Sequence, residues 1–458
     1  MKVVICGAGL VGTSIARHLA GENNDVTVID QDAALVQRIS ETLDVRGIEG
    51  KASLPNVLEH AGAKDADMLI AVTFSDEVNM VACQVGHSLF NVPTKIARVR
   101  QQSYLQPIWA DLFSRDNMPI DYIISPEREV ARAIGRRLQV PGAIDVVPMV
   151  DGLVRVVGVV CAENCPIIDT PLRQLTELFS DLRIVIVGII RNDHGMVPKA
   201  EDQMLVGDEV YFICDAEHLT RAMASFGYEE PEGRSVIIAG GGNIGLTLAE
   251  EIEAEHEGVS AKVIEHGADR ARYVAQMLPS TMVLNGDALD GEILEEAGVQ
   301  QSETFVAVTN DDEVNILAAL LAKRNGAKRV VSLINKMTYG PLITTLGIDV
   351  VVNPRALTVS SILQHVRRGR IKGVYSVRED FGEVIEAEAL ETSPLVGKTI
   401  REAKLPPGAI FGAIKRGDKV IAPRADTVIN AEDVIVLFTT YEAVKKVEKL
   451  FSVRLDFF

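Results

Sequence analysis

The sequence predicts an α/β chain in which two Rossmann-like, doubly wound parallel-sheet domains alternate with two small α+β domains. Three observations carry that expectation. The run Val3–Gly12, VVICGAGLVG, returns without a gap as VIIAGGGNIG at Val236–Gly245, an offset of 233 residues. Each copy is a short apolar run ending in G-x-G-x-x-G, the pattern of a buried parallel strand, a tight turn and a helix N-terminus whose N–H groups and dipole hold a phosphate. Each half then closes with a different texture, over residues 142–228 and 373–458, where short β-rich runs alternate with turns.

At 458 residues the chain exceeds what one hydrophobic core supports, and the duplication divides it into four. The expected order is a nucleotide-binding domain N1 over residues 1–140, a small domain C1 over 141–229, a second nucleotide-binding domain N2 over 230–371, and a small domain C2 over 372–458. Linkers are expected near Gln139–Gly142, Glu229–Gly233 and Gly369–Gly373.

Composition narrows the function. An apolar content of 47% with 24% charged residues is globular. The longest clean apolar run, Ile184–Ile190, falls far short of the roughly 20 residues that span a bilayer. Met1 and Lys2 lead straight into a strand, which is not the start of a signal peptide. The net charge of −18 counts against nucleic acid and against direct lipid anchoring, both of which select basic faces. Five cysteines, an odd set without an export signal, point to reduced thiols in the cytoplasm. Cys161 and Cys165 lack zinc-finger spacing, so no metal site is expected.

Taken in order, each element of the first half has a counterpart in the second. The first helix shows Ile15, Ala16 and Leu19 at helical spacing, and the second copy shows Leu248, Ala249 and Ile252. The next strands, Val26–Ile29 and Lys262–Ile264, are closed by Asp30 and Glu265. An acid about 20 positions past the glycines holds a ribose diol and repels a 2′-phosphate, which favours NAD or adenosine nucleotides over NADP. Gly50, Ala52, Leu58, Ala61 and Gly62 match Gly286, Ala288, Leu294, Ala297 and Gly298 at a constant offset of 236.

The strands Met68–Val72 and Phe305–Val308 lead into TFSDEVN, Thr73–Asn79, and TNDDEVN, Thr309–Asn315. Thr73 with Asp76, and Thr309 with Asp312, have helix-capping spacing. The same loops leave the carboxyl ends of central strands, where such sheets bind ligands. The following strand, Ile96–Val99, offers Arg98 to a phosphate; in Val330–Leu333 the nearest position is Ser332. The sheets end in IISP, Ile123–Pro126, and VVNP, Val351–Pro354, before helices at about Glu127–Leu138 and Ala356–Arg368.

In the small domains the β-rich runs are Val154–Val160, Val185–Ile190, Val210–Ile213, Ile410–Ile414 and Val434–Phe438. Pro166 and Pro394 each open a polar turn and helix, and Gly207–Ile213 parallels Ala431–Leu437. LVGKT, Leu395–Thr399, is not a phosphate-binding P-loop, because Thr392 holds the place of the required first glycine; it reads as a turn that starts the helix of C2. The eight histidines are scattered, and no H-E-x-x-H, G-x-S-x-G or other catalytic constellation is present, so no catalytic residue is assigned.

Together GAGLVG with Asp30 and TFSDEVNM, GGGNIG with Glu265 and VTNDDEVN, the four-part alternation, and LPPGAIFGAIKRGD at Leu405–Asp418 carry a resemblance. Over essentially its whole length the chain resembles the tandem RCK (KTN) family of Trk-type potassium-uptake regulatory proteins. The resemblance implies small domains of the RCK C-terminal type. It implies a non-enzymatic subunit, cytoplasmic and peripheral on the inner membrane, that docks on an integral-membrane potassium translocator of the TrkH/TrkG/KtrB type. It also implies a homotetramer, and gating by NAD(H) and by ATP or ADP.

Carried onto this sequence, the first cradle is Gly7, Ala8, Gly9, Leu10, Val11, Gly12, Asp30, Thr73, Phe74 and Arg98. The second is Gly240, Gly241, Gly242, Asn243, Ile244, Gly245, Glu265, Asp287, Thr309 and Asn310. Lys51 stands where the second half has Asp287, so the two cradles differ. Two other functions compete with this one: a soluble NAD-dependent oxidoreductase, and a scaffold whose nucleotide sites are vestigial.

Overall fold

The computed structural model describes residues 1–22, 24–178, 184–229, 234–336, 339, 346–366, 371–378 and 381–451. They fall into two compact units, one of residues 1–131 with 353–366, the other of residues 132–352 with 367–458.

In the first unit the sheet is built from β1 (Lys2–Cys6), β2 (Asp25–Asp30), β3 (Arg46–Glu49), β4 (Met68–Ala71), β5 (Thr94–Arg98) and β6 (Tyr122–Ile124). Their order is β3-β2-β1-β4-β5-β6, all parallel. That is the doubly wound order, whose direction reverses between β1 and β4. The strands are short and apolar because both faces of a parallel sheet are covered. The helices α1 (Leu10–Gly21), α2 (Ala33–Thr42), α3 (Pro55–His60) and α4 (Asp76–Phe90) connect them.

One face of this sheet is completed from far along the chain. The helix Pro354–Val366, next after the last strand of the second nucleotide-type sheet, buries Ile362, Leu363 and Val366 in one cluster with Ile15, Leu19 and Val28. Its His365 stacks on Tyr122 with ring centroids 3.8 Å apart. The sequence predicts a helix here, at about Ala356–Arg368, but not the sheet it covers.

The second unit holds three sheets. The strands β7 (Ala143–Met149), β8 (Val154–Val160), β9 (Val185–Arg191), β10 (His194–Met196) and β11 (Glu209–Asp215) form an antiparallel sheet in the order β10-β9-β11-β8-β7. A second parallel sheet has the order β14-β13-β12-β15-β16-β17, from β12 (Ser235–Ala239), β13 (Ser260–Glu265), β14 (Met282–Asn285), β15 (Thr304–Ala307), β16 (Arg329–Leu333) and β17 (Val350–Val352). The last is antiparallel, β18-β19-β22-β20-β21, from β18 (Ile371–Val377), β19 (Gly382–Glu388), β20 (Ala409–Arg416), β21 (Lys419–Ile421) and β22 (Val434–Thr440). The two Rossmann-like sheets therefore alternate with the two α+β domains, as the sequence predicts.

The antiparallel sheets share a core of Val147, Val187, Tyr211, Val377, Phe381 and Phe438. Each carries the same internal clamp. Asp208 accepts from Arg191 Nε and Nη2 at 2.8 and 2.7 Å, and Asp433 accepts from Arg416 Nε and Nη2 at 2.9 and 2.7 Å. Both carboxylates are fully buried, and a bidentate guanidinium is what such a carboxylate requires.

Two expectations for the small domains change. The helix expected after Pro166 forms at Leu172–Leu178, but among the described residues none forms between Pro394 and β20. Thr399 and Glu402 make the reciprocal bonds of a capping box, with Thr399 N donating to Glu402 Oε2 at 3.0 Å and Glu402 N to Thr399 Oγ1 at 3.3 Å. The turn goes no further because Thr399 also bridges to Val428 and Ile400 N bonds to Thr427 O, which hold the chain extended. Residues 230–233 and 369–370 of the expected linkers lie outside the described residues, and Gly373 lies within β18.

Candidate functional site

Each parallel sheet carries a cradle at the carboxyl ends of its central strands. In the first, β1 runs into Gly7 at φ +114°, a conformation that side chains rarely adopt, and Gly7 N bonds to Ile29 O at 2.7 Å. The helix α1 then starts with Gly9 as its N-cap and no side chain capping its first N–H groups. A Cβ on Gly12 would stand 1.8 Å from Gly7 O, so only glycine lets helix and turn approach this closely. The second half repeats each feature: Gly240 has φ +110°, Gly242 is the N-cap of α8 (Asn243–Glu255), and a Cβ on Gly245 would stand 1.9 Å from Gly240 O.

The acid at the end of the second strand closes over the turn. Asp30 Oδ2 accepts from Ala8 N at 2.6 Å and its Oδ1 accepts from Asp32 N at 2.9 Å. Glu265 does the same with Gly241 N and Gly267 N, both at 2.7 Å. Each carboxylate is thereby aimed at the glycine turn and keeps lone pairs for a ribose diol.

On the other side, the loop after the fourth strand abuts the first glycine. A Cβ on Gly7 would meet Thr73 N at 3.1 Å, and one on Gly240 would meet Thr309 N at 3.0 Å. Each threonine is fixed by an asparagine one helical turn into the next helix. Asn79 Oδ1 accepts from Thr73 N at 2.8 Å and Thr73 Oγ1 at 2.7 Å; Asn315 accepts from Thr309 at the same two distances. Phe74 is 86% exposed and Leu10 62% exposed beside this turn. In the second half Asn243, Asn310 and Asp287 are exposed, and Asp287 caps its own loop through Leu289 N at 2.9 Å.

The capping expected of Thr73 with Asp76, and of Thr309 with Asp312, is not what these residues do. The caps are Ser75, accepting from Val78 N at 3.3 Å, and Asp311, accepting from Val314 N at 2.9 Å. Asp76 and Asp312 are buried and instead hold the loop after the fifth strand. Asp76 accepts from Arg100 N and Gln101 N at 2.9 and 2.8 Å; Asp312 accepts from Asn335 N and Lys336 N at 3.0 and 2.8 Å.

Arg98 ends β5 and turns back to the same loop, its Nη2 donating to Thr73 O at 2.7 Å. Its Nε is buried with no hydrogen-bond partner among the described residues. Burial and the like charge of Arg100 pull its pKa down, against the opposing pull of Asp76 and Glu127.

The correspondence of Ser332 with Arg98 is corrected by sheet register. Ser332 pairs with Ala307 as Ala97 pairs with Ala71, so the residue in the place of Arg98 is the buried Leu333. The asparagine bonds agree: Asn79 Nδ2 donates to Arg98 O at 2.9 Å, and Asn315 Nδ2 to Leu333 O at 3.0 Å.

Sequence reasoning missed the asparagines, the role of the buried aspartates, and Arg270. Arg270 rises from α9 (Ala268–Met277) to donate from Nε to Gly241 O at 2.7 Å, with its guanidinium 4.9 Å from the centroid of Tyr273. The repeated Asp-Glu-Val-Asn string carried the asparagine signal. Arg270 had no such signal, since Leu35 stands at the equivalent place of the first half.

The TrkA-N domain family matches residues 3–126 and 236–354, and the TrkA-C domain family matches residues 156–227 and 384–452. The Trk system potassium uptake protein TrkA of Azorhizobium caulinodans is 53% identical over 458 residues, covering 100% of both chains. Among solved structures, the GsuK RCK domain is similar with a TM-score of 0.60 at 19% identity, covering 98% of this chain and 94% of that one. The GsuK channel bound to NAD gives a TM-score of 0.60 at 19% identity, covering 98% of this chain and 78% of that one. No helix among the described residues is long and apolar enough to cross a membrane. With both modules matched twice and end-to-end identity of 53% to a named relative, this chain belongs to the TrkA family of Trk-system potassium uptake proteins.

Proposed function

We propose that this chain is the nucleotide-sensing regulatory subunit of a Trk-type potassium uptake system, gating an integral-membrane translocator in response to NAD(H) and to ATP or ADP. The observation that carries it is the double cradle. Two glycine turns, each with an acid closing over it, stand in one chain, and no catalytic motif accompanies either among the described residues. A bound nucleotide there acts as a signal, and no hydride moves. The GsuK channel that shares this fold is described as bound to NAD, which supports a nucleotide as the ligand. In this reading the chain keeps the four-domain order N1, C1, N2, C2, with the helix Pro354–Val366 of N2 packed on the N1 sheet; it assembles as a homotetramer, and it sits on the cytoplasmic face of the inner membrane through its protein partner.

The mechanism follows from linkage. A nucleotide shifts a gate only by as much as it binds one conformation of the assembly better than another. The γ-phosphate separates ATP from ADP, because its extra charge meets basic side chains differently. Potassium flux through the reconstituted partner, measured with ATP, ADP and NADH in turn, tests this. At least two of them are expected to give different fluxes; identical flux with all three and with none removes the gating role.

A further inference from the structure

The two cradles share their acid, glycines, threonine and asparagine, yet each has its cation on a different side of the turn. In the first, Arg98 approaches from the β5 side, bonded to Thr73 O at 2.7 Å, and Leu35 occupies the β2 side. Leu35 is half-buried and packs against the core of its own unit, so no guanidinium stands at the position that Arg270 fills in the second half. In the second, Arg270 approaches from the β13 side, bonded to Gly241 O at 2.7 Å, and the buried Leu333 occupies the β16 side.

Which side holds the cation matters because the acid orients the ligand. A ribose held by Asp30 or Glu265 lies over the second strand, the pyrophosphate follows at the glycine turn, and whatever comes next passes toward the fourth and fifth strands. In a nucleoside triphosphate that next part is the terminal phosphate, an anion. In a dinucleotide it is a second ribose and a base without negative charge. Arg98 meets the first with a guanidinium whose buried Nε has no hydrogen-bond partner among the described residues. It would repel a cationic nicotinamide, and it makes no ion pair among the described residues, so its charge remains available to a phosphate. Leu333 offers no partner to a phosphate and tolerates an uncharged ring, while Arg270 neutralises the pyrophosphate that both ligand classes share.

Resting on the function proposed above, we propose that the halves are specialised: the first cradle takes a nucleoside di- or triphosphate, selected by Arg98, and the second takes a nicotinamide dinucleotide, held by Arg270. The chain is then a two-input sensor, reading phosphorylation state in one half and a redox cofactor in the other.

Calorimetric titration of the full-length protein with ATP, ADP and NADH tests it, using Arg98→Leu and Arg270→Leu, each of which installs the residue the other half carries. Arg98→Leu is expected to weaken ATP and ADP by tenfold or more and to leave NADH within twofold. Arg270→Leu is expected to weaken NADH by tenfold or more and to leave ATP within twofold. Urea midpoints without ligand check the fold of each variant. Where leucine unfolds the protein, the Arg98→Gln and Arg98→Lys pair, or Arg270→Gln and Arg270→Lys, decides instead, the lysine variant retaining more of the selected ligand than the glutamine. A substitution that weakens both ligand classes alike, or the reverse pattern, overturns the assignment while leaving nucleotide sensing intact. Absence of any nucleotide binding to the unaltered protein overturns both.

Discussion

Three glycines in each turn have three separate tasks, and substitution separates them. A Cβ on Gly12 would lie 1.8 Å from Gly7 O, a clash no rotamer relieves, whereas a Cβ on Gly9 would meet nothing within 4 Å. Gly12→Ala is therefore expected to destabilise its unit by about 1–3 kcal/mol and to abolish nucleotide binding in the first half. Gly9→Ala should leave the urea midpoint unmoved and still weaken the nucleotide, because the backbone there must approach the pyrophosphate. Denaturation and titration of both variants distinguish these outcomes; a stable Gly12→Ala protein would contradict the turn geometry. Buried thiols give a pH signature of their own. Burial pushes Cys6 and Cys214 up to about 12. Their folded values lie above the unfolded one, so their contribution to stability is complete below about pH 8.5 and is lost progressively as pH rises toward the folded values. The urea midpoint should fall between pH 8 and 10 by this linkage, and Cys214→Ala should flatten that fall.

At the scale of elements, local chemistry was legible and long-range partnership was not. All strands of the parallel sheets except the edge strands β3 and β14, together with the closing acids, were readable because a buried strand, a glycine turn and an amphipathic helix each leave a short-range pattern. The cap was misassigned because Thr73 and Ser75 both have cap chemistry, and the choice between them was made by Asn79, whose side chain claims Thr73 on both its N–H and its hydroxyl. Likewise Ser332 is the nearest position to Arg98 in sequence, and only the pairing of Ser332 with Ala307 settles the register. The helix Pro354–Val366 is the plainest case: a helix is expected after Pro354, and nothing local in its sequence says which sheet it covers. Its Ile362 is fully buried among Ile15, Leu19 and Val28. Ile362→Ala should thus cost about 2–5 kcal/mol in the first unit, although residue 362 lies far beyond it in sequence. Trp109, the chain's single tryptophan, belongs to that unit and reports its unfolding. An unchanged Trp109 transition in the Ile362→Ala protein would mean that the helix does not hold that core in solution.

At the scale of the whole molecule, duplication places each cradle in a different compact unit, which makes occupancy of the two halves separately observable. The first cradle, Gly7–Gly12 with Asp30, Thr73 and Arg98, lies in the unit that contains Trp109, and the second lies in the other unit. A ligand that binds only the folded state stabilises by about 2.7 kcal/mol at a hundred times its Kd. For a unit of this size that amounts to a shift on the order of 8 °C in its midpoint. ATP at that level is expected to move the Trp109 fluorescence transition by this amount. NAD should move the later-reporting part of the far-ultraviolet circular dichroism transition and leave the Trp109 midpoint in place. The Arg98→Leu protein supplies the control for cooperative unfolding: if the two units melt together, NAD still shifts the common transition while the ATP shift collapses. Loss of both shifts in that variant would show that Arg98 supports the fold and does not select the ligand; retention of both would show that the triphosphate is held without Arg98, which overturns its role as the selecting group.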